Sequence, residues 1–344
     1  MGKILAVMLV GLCCVAARAE TTLAKVRAAG ALRCGIDVAE AEYSTSDDHG
    51  GREAFDGDLC RAVAAAVLGL QAKALVTRYP DDRDSMKALT GGEVDLVATL
   101  TDDFAHAAGT GIGFTRPVLW DGVGFLVLGA HPSMRARQLS GRKICFLAQT
   151  TVEESARAWF GRERLNFVPF PFQEEGEMDA AFTSGNCGAL AGDRTRLAEA
   201  RAALLRHGRR TTLLPERVSK DPLAAAYRDD DAQWATIVNW VMEALVQAEE
   251  SGVNRGNIGA VYDALTEKMP GAGEPELRTL LGISQEVGNA LGLKNDWVIQ
   301  VIRATGNYGE IYERDLGSGS ALKLPRDANE LWKHGGLMIA LPPK

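Results

Sequence analysis

The sequence predicts an α/β protein of two lobes. Two observations point there: short apolar runs alternate with amphipathic helical stretches through most of the first 225 residues, and the chain is too long for one compact core. Residues 1–19 stand apart, with Lys3, an apolar run over 4–16, and then Ala17-Arg18-Ala19, the small-x-small pattern cleaved by a signal peptidase. About thirteen apolar residues cannot cross a hydrocarbon layer of about 30 Å as a helix, so a cleaved leader is expected and not an anchor. Without it, 36 basic residues face 45 acidic ones, a net charge of −9, which makes nucleic acid and anionic membrane poor partners.

In chain order, the candidate strands are 31–38, 74–79, 94–100, 123–128, 142–147, 167–170 and 188–191. Between them, Leu59, Val63, Ala66, Val67 and Leu70 repeat at helical spacing, as do Met86 and Leu89 before the Gly91-Gly92 stop. The Gly, His, Pro and Ser of 129–133 suggest a crossover between lobes, and Lys220-Asp221-Pro222 a second, with 223–227 as a strand returning to the first lobe. The expected division is therefore 20–128 for the first part of lobe 1, 129–222 for lobe 2, and 223–344 for the return to lobe 1 with a helical C-terminal extension. Trp234, Ile237, Val241, Leu245 and Ala248 mark one face of the next helix, and the Gly- and Pro-rich tail from Gly306 reads as a surface wrap that adds no core.

Cys13 and Cys14 leave with the leader, so Cys34, Cys60, Cys145 and Cys187 remain, which in an exported chain reads as two disulfides. Of the three possible pairings, Cys34 with Cys60 and Cys145 with Cys187 is favoured, because each closes a loop inside one lobe and leaves the lobes free to move. No CxxC spacing supports zinc, and neither metal nor cofactor is expected.

Enzyme signatures are missing: there is no GxSxG, HExxH or GxxxxGK[ST], and the five histidines show no ligand spacing. Small polar residues instead follow predicted strands, where open α/β sheets present their crevice. Thr99, Thr101, Asp102 and Asp103 follow one strand, Gln149, Thr150 and Thr151 another, and Asp193 a third. Thr150 and Thr151 precede a helix whose first amides suit an anionic group, and Asp193 suits an ammonium. Taken singly, each also reads as an ordinary helix cap.

Several stretches, in order along almost the whole mature chain, resemble the general L-amino-acid-binding branch of the periplasmic binding proteins of bacterial ABC importers, extracellular solute-binding family 3. They are Leu32-Arg33-Cys34-Gly35, Ala54-Phe55-Asp56-Gly57-Asp58-Leu59-Cys60, Gly92-Glu93-Val94-Asp95, Trp120-Asp121-Gly122-Val123-Gly124-Phe125, Asn295-Asp296-Trp297, Gly306-Asn307-Tyr308-Gly309-Glu310 and Leu331-Trp332. The resemblance implies a type II periplasmic-binding-protein fold with hinge strands, a polar amino-acid-like ligand, an inner-membrane ABC permease as partner, a periplasmic monomer, and no catalysis. Carried over by position, Tyr43 covers the ligand, Thr99 and Thr101 hydrogen-bond it, Thr150 and Thr151 meet its carboxylate, and Asp193 holds its ammonium.

One departure bears on the ligand. Such proteins place an Arg about a dozen residues after the Gly-x-Val-Asp motif to grip the α-carboxylate in two parallel bonds. Ala107 or His106 stands there instead. Three substitutes are open: a protonated His106, Arg116 from the next strand, or a cationic ligand lacking a free carboxylate and met by Asp102 and Asp103. Two other functions compete, a sensor that has lost transport, and a lyase or dehydratase on the same fold with Glu153 or Asp103 as its acid.

Overall fold

A computed structural model describes residues 20–37, 51–267 and 275–343. The chain opens with α1 (Thr22–Ala29), capped by Thr21, and β1 (Ala31–Asp37), whose Leu32, Cys34 and Ile36 are wholly buried. Next come α2 (Arg52–Leu68), β2 (Lys73–Tyr79), α3 (Asp82–Thr90), β3 (Leu96–Thr101), the single turn α4 (Phe104–Ala107), and β4 (Ile112–Asp121). The second lobe runs through β5 (Val123–Leu128), β6 (Lys143–Leu147), α5 (Thr151–Arg162), β7 (Val168–Phe172), α6 (Glu175–Thr183), β8 (Ala189–Asp193), α7 (Arg194–Arg206) and β9 (Thr211–Leu213). The chain returns through β10 (Asp221–Arg228) and α8 (Ala232–Glu250), then α9 (Ile258–Glu267), α10 (Pro275–Leu280), α11 (Val287–Ala290), α12 (Trp297–Thr305) and α13 (Tyr308–Asp315).

Two five-stranded sheets result, ordered β2-β1-β3-β10-β4 and β7-β6-β8-β5-β9. In the first, β1 pairs parallel with β2 and β3, and β10 runs antiparallel to β3 and β4. The second repeats the plan, with β6 parallel to β7 and β8, and β5 antiparallel to β8 and β9. Cys34 and Cys60 join β1 to α2 (Cα–Cα 6.1 Å), and Cys145 and Cys187 join β6 to the turn before β8 (5.8 Å), so each bridge lies within one lobe.

The first crossing falls earlier than the expected boundary at Leu128. β5 belongs to the second sheet, and the chain passes between lobes at Gly122. An apolar run such as 123–128 carries no mark of which sheet it will join. The 129–133 stretch is a turn inside the second lobe, and the buried Met134, Ala136 and Leu139 that follow it pack in that lobe's core. Gly122 sits at φ 143°, and a Cβ there would lie 2.6 Å from the Ser219 carbonyl oxygen. The two crossing segments therefore touch, and the Val123 amide donates to Ser219 Oγ (2.9 Å).

The tail also departs from expectation, because α13 adds to the first lobe's core. Tyr308, Ile311 and Tyr312 are buried, and the two tyrosine rings meet Phe55 edge-on at 6.3 and 6.5 Å. Asn307 and Glu310 cap the helix reciprocally, which starts it despite the adjoining glycines. Gly309 lets it approach α8, since a Cβ would meet Glu249 Oε1 at 2.6 Å.

Candidate functional site

A cavity of about 1160 Å³ lies between the lobes. From the first lobe it is walled by Asp37 at the end of β1, Arg52 at the start of α2 and Asp82 at the start of α3. From the second come Thr150 and Thr151 at the start of α5, and Asp193 at the end of β8. Thr150 caps α5, its hydroxyl accepting from the Glu153 amide and donating to the Leu147 carbonyl. Asp193 stands at the cap position of α7 but its side chain makes no capping bond, which leaves the carboxylate for the cavity.

Arg52 organises the inner end. Its Nη2 and Nε donate to Thr99 Oγ1 (2.9 and 3.3 Å), whose hydroxyl lies 2.8 Å from both oxygens of the buried Asp56. The Arg52 amide donates to Glu199 Oε1 on α7 (3.0 Å), a direct tie between the lobes. Burial alone would depress the guanidinium, but Asp56, Asp37, Asp82 and Asp121 outweigh it and hold the group charged. Asp121, last residue of β4, accepts from the amides of Gly122, Arg194 and Thr195 and from the Thr195 hydroxyl, pinning α7 to the crossing.

Burial pushes three further carboxyls up. Burial raises Asp37 to about 8, helped by Asp82 and opposed by Arg52. Both of its oxygens are shielded from water and reach no partner at hydrogen-bond geometry among the described residues, although Asp82 and Ser85 lie close enough to act on it. Asp193 rises to about 7 through burial and the charges of Asp121 and Asp221, and Asp221 to about 6 through burial and Asp121. Among the described residues no His, Cys, Asp and Glu grouping suits a metal ion, and no helix is long and apolar enough to cross a membrane.

Of the residues singled out from sequence, Thr150, Thr151 and Asp193 line this cavity. Thr99 is wholly buried beneath Arg52, and Thr101 ends β3 outside the wall, acting on Asp221. His106 does not line the cavity; its Nδ1 lies 2.8 Å from Asp103 Oδ1, one helical turn back. Arg116 donates to the Ile339 carbonyl, lies 3.6 Å from Glu243 and does not line the cavity. Tyr43 lies outside the described residues. The two acids considered for lyase chemistry are both held low: Glu153 by the Gln149 amide and Arg157, and Asp103 because His106 outweighs burial.

Sequence reading missed Asp37, Arg52 and Asp82. Applying the strand-end rule to every strand would have found Asp37. Nothing local marks Arg52, which follows a glycine-rich stretch and gains its place only through contacts 47 and 147 residues away.

Two α/β lobes, joined by two adjacent crossings and closing on a polar cavity, define a bilobal solute-binding protein. No family model matches the chain. It is 36% identical over 330 residues to the general L-amino acid-binding periplasmic protein AapJ of Rhizobium johnstonii, across 95% of this chain and 94% of that one. It is 35% identical to the glutamate/glutamine/aspartate/asparagine-binding protein BztA of Rhodobacter capsulatus, across 95% and 94%. Among solved structures, a periplasmic binding protein of an ABC transporter from Brucella ovis, with glutathione bound, superposes with a TM-score of 0.79 at 35% identity, across 95% of this chain and all of that one. The chain belongs to the periplasmic amino-acid-binding proteins of ABC transporters.

Proposed function

We propose that this protein captures an amino-acid-like solute between its lobes and delivers it to an ABC permease of the inner membrane. The observation that carries the reading is that both lobes supply polar groups to one cavity: Asp37, Arg52 and Asp82 on one side, Thr150, Thr151 and Asp193 on the other. In this reading Asp193 accepts from the ligand's ammonium, the first turn of α5 receives an anionic group, and Tyr43 closes over the ligand. The lobes are 20–121, 123–219 and the return from Asp221, and the chain works as a periplasmic monomer after loss of residues 1–19, without turning its ligand over. The cavity exceeds the roughly 300–1,000 Å³ of ordinary ligand pockets, so solutes up to the size of glutathione, the ligand of the Brucella protein, belong in the test.

A thermal-shift and calorimetry panel of amino acids, diamines and glutathione on the mature protein tests this. A true ligand at a hundred times its Kd contributes about 2.7 kcal/mol, several degrees in Tm. Absence of any stabilising solute, or consumption of one during the assay, refutes the reading.

A further inference from the structure

The arginines around the cavity are unevenly committed. Among the residues that line it, Arg61 and Arg314 both pair with Asp58, Arg314 also reaches Asp315, and Arg78 pairs with Glu53. On α7, Arg196 is shared by Glu175 and Asp179. At the inner end, Arg52 lies within electrostatic reach of seven acids, Asp56, Asp37, Asp82, Asp121, Asp193, Asp221 and Glu199, and Arg196 acts on Asp193 and Glu199 as well. Three of these are satisfied by protein donors: Asp56 by Thr99, Asp121 by three amides and a hydroxyl, and Glu199 by the Arg52 amide. Asp37, Asp82 and Asp193 remain, drawn from three elements and lining one cavity, with no ion pair to a described Lys or Arg, while Asp221, held by Thr101, stands off the cavity wall within electrostatic reach of Asp193. The shielded oxygens of Asp37 meet no donor at hydrogen-bond geometry among the described residues, with Asp82 and Ser85 close by.

We propose that the inner end of the cleft is a receptor for an organic cation, with Asp37, Asp82 and Asp193 accepting from the ligand's ammonium or guanidinium groups and Asp221 adding to the attractive field. The ligand class is a net-positive amino-acid-like compound, such as a basic amino acid or a diamine, and acidic solutes are disfavoured. This rests on the cleft being the solute site. Arg52, facing seven acids, and Arg196, already shared by Glu175 and Asp179, have no surplus positive charge to offer a ligand carboxylate at this end, whereas a ligand ammonium meets unsatisfied acceptors. Because burial holds Asp37 and Asp193 partly protonated near neutrality, cation entry expels protons. The groups facing them set that coupling: Asp82, Ser85 and Arg52 around Asp37, and Asp121, Asp221, Arg52 and Arg196 around Asp193.

The test is isothermal titration calorimetry of the mature protein with L-arginine, agmatine and putrescine against L-glutamate and L-glutamine, at pH 5 and pH 8 and in buffers of different ionisation enthalpy. At least one cation is expected to bind about a hundredfold more tightly than glutamate at pH 8, to weaken about tenfold or more at pH 5, and to release protons on binding. Asp37→Asn and Asp193→Asn should each weaken it about tenfold or more, while Asp102→Asn, off the cavity wall, leaves it unchanged. Should either Asn variant misfold, proton release by the unaltered protein decides. Tighter binding of glutamate or glutamine, or cation binding without pH dependence, overturns the inference and leaves the solute-binding reading standing; no binding by any solute overturns both.

Discussion

Thr99→Val tests how the inner end is built. The two side chains have nearly the same shape, so the change removes only a hydroxyl. That hydroxyl lies 2.8 Å from both Asp56 oxygens and accepts from Arg52 at 2.9 Å. Asp56 is fully buried, and its nearest cation, Arg52 Nε, stands 3.8 Å away, too far for a hydrogen bond. A hydrogen bond to a charged group contributes about 1.5–3 kcal/mol, and stranding a buried acceptor costs about as much again at worst, so we expect a loss of about 3 kcal/mol. For a lobe of this size that lowers Tm by roughly 6–10 °C, measured by calorimetry with disulfides intact. Thr99→Ser keeps the hydroxyl and should lose less than about 1 kcal/mol. If Thr99 instead touches ligand directly, as its place in the sequence implies, the Val variant will lose affinity while keeping its stability. A stability loss under about 1 kcal/mol would refute the network as described.

Three further outcomes follow from the same physics. Asp37, Asp193 and Asp221 titrate in the native state at about 8, 7 and 6, above the unfolded carboxylate value of about 3.9, so the stability they contribute is fully present below about pH 4 and lost as pH rises through 6 to 8. The ligand-free Tm should therefore fall between pH 5 and pH 8, less steeply in Asp37→Asn; a Tm that rises over this range contradicts the assignment. Opening the Cys145–Cys187 loop of 42 residues by paired Ala substitution should cost about 4 kcal/mol, and the Cys34–Cys60 loop of 26 about 3.5, read from urea unfolding; a cost below about 1 kcal/mol would contradict the loop argument. Gly122→Ala places a Cβ against the Ser219 carbonyl at a φ unsuited to alanine, and should destabilise by about 2 kcal/mol, whereas Gly141→Ala, with open space around it, shows the smaller cost of φ alone.

The parts of this architecture that depend on local spacing were legible in the sequence. Cys34, Cys60, Cys145 and Cys187 follow from counting the cysteines once residues 1–19 are read as a leader, and Asp193, Thr150 and Thr151 reach the cavity because strand ends face the crevice. What depends on partners far along the chain was not. Gly122 reads as one glycine among many until Ser219, nearly a hundred residues on, is seen against it. The Gly- and Pro-rich tail gave no sign that Tyr308 and Tyr312 would close over Phe55, because glycine's weak helix preference says nothing about Gly309 needing to approach Glu249.

The absent carboxylate-binding arginine is where sequence and structure meet. Three substitutes were open, and two of the side chains are already engaged elsewhere: His106 with Asp103, and Arg116 with Glu243 and the Ile339 carbonyl. Arg52 does enter the cleft, yet Asp56, Asp37 and Asp82 already take up its charge. The third, a cationic ligand, keeps its logic and changes its residues. Asp103 is held by His106, and Asp102 lies off the cavity wall, whereas Asp37, Asp82 and Asp193 face the ligand volume. Losing a fixed cation and leaving acids unpaired act in the same direction, since each makes the cleft more negative, and a solute carrying positive charge is what restores neutrality when the lobes close.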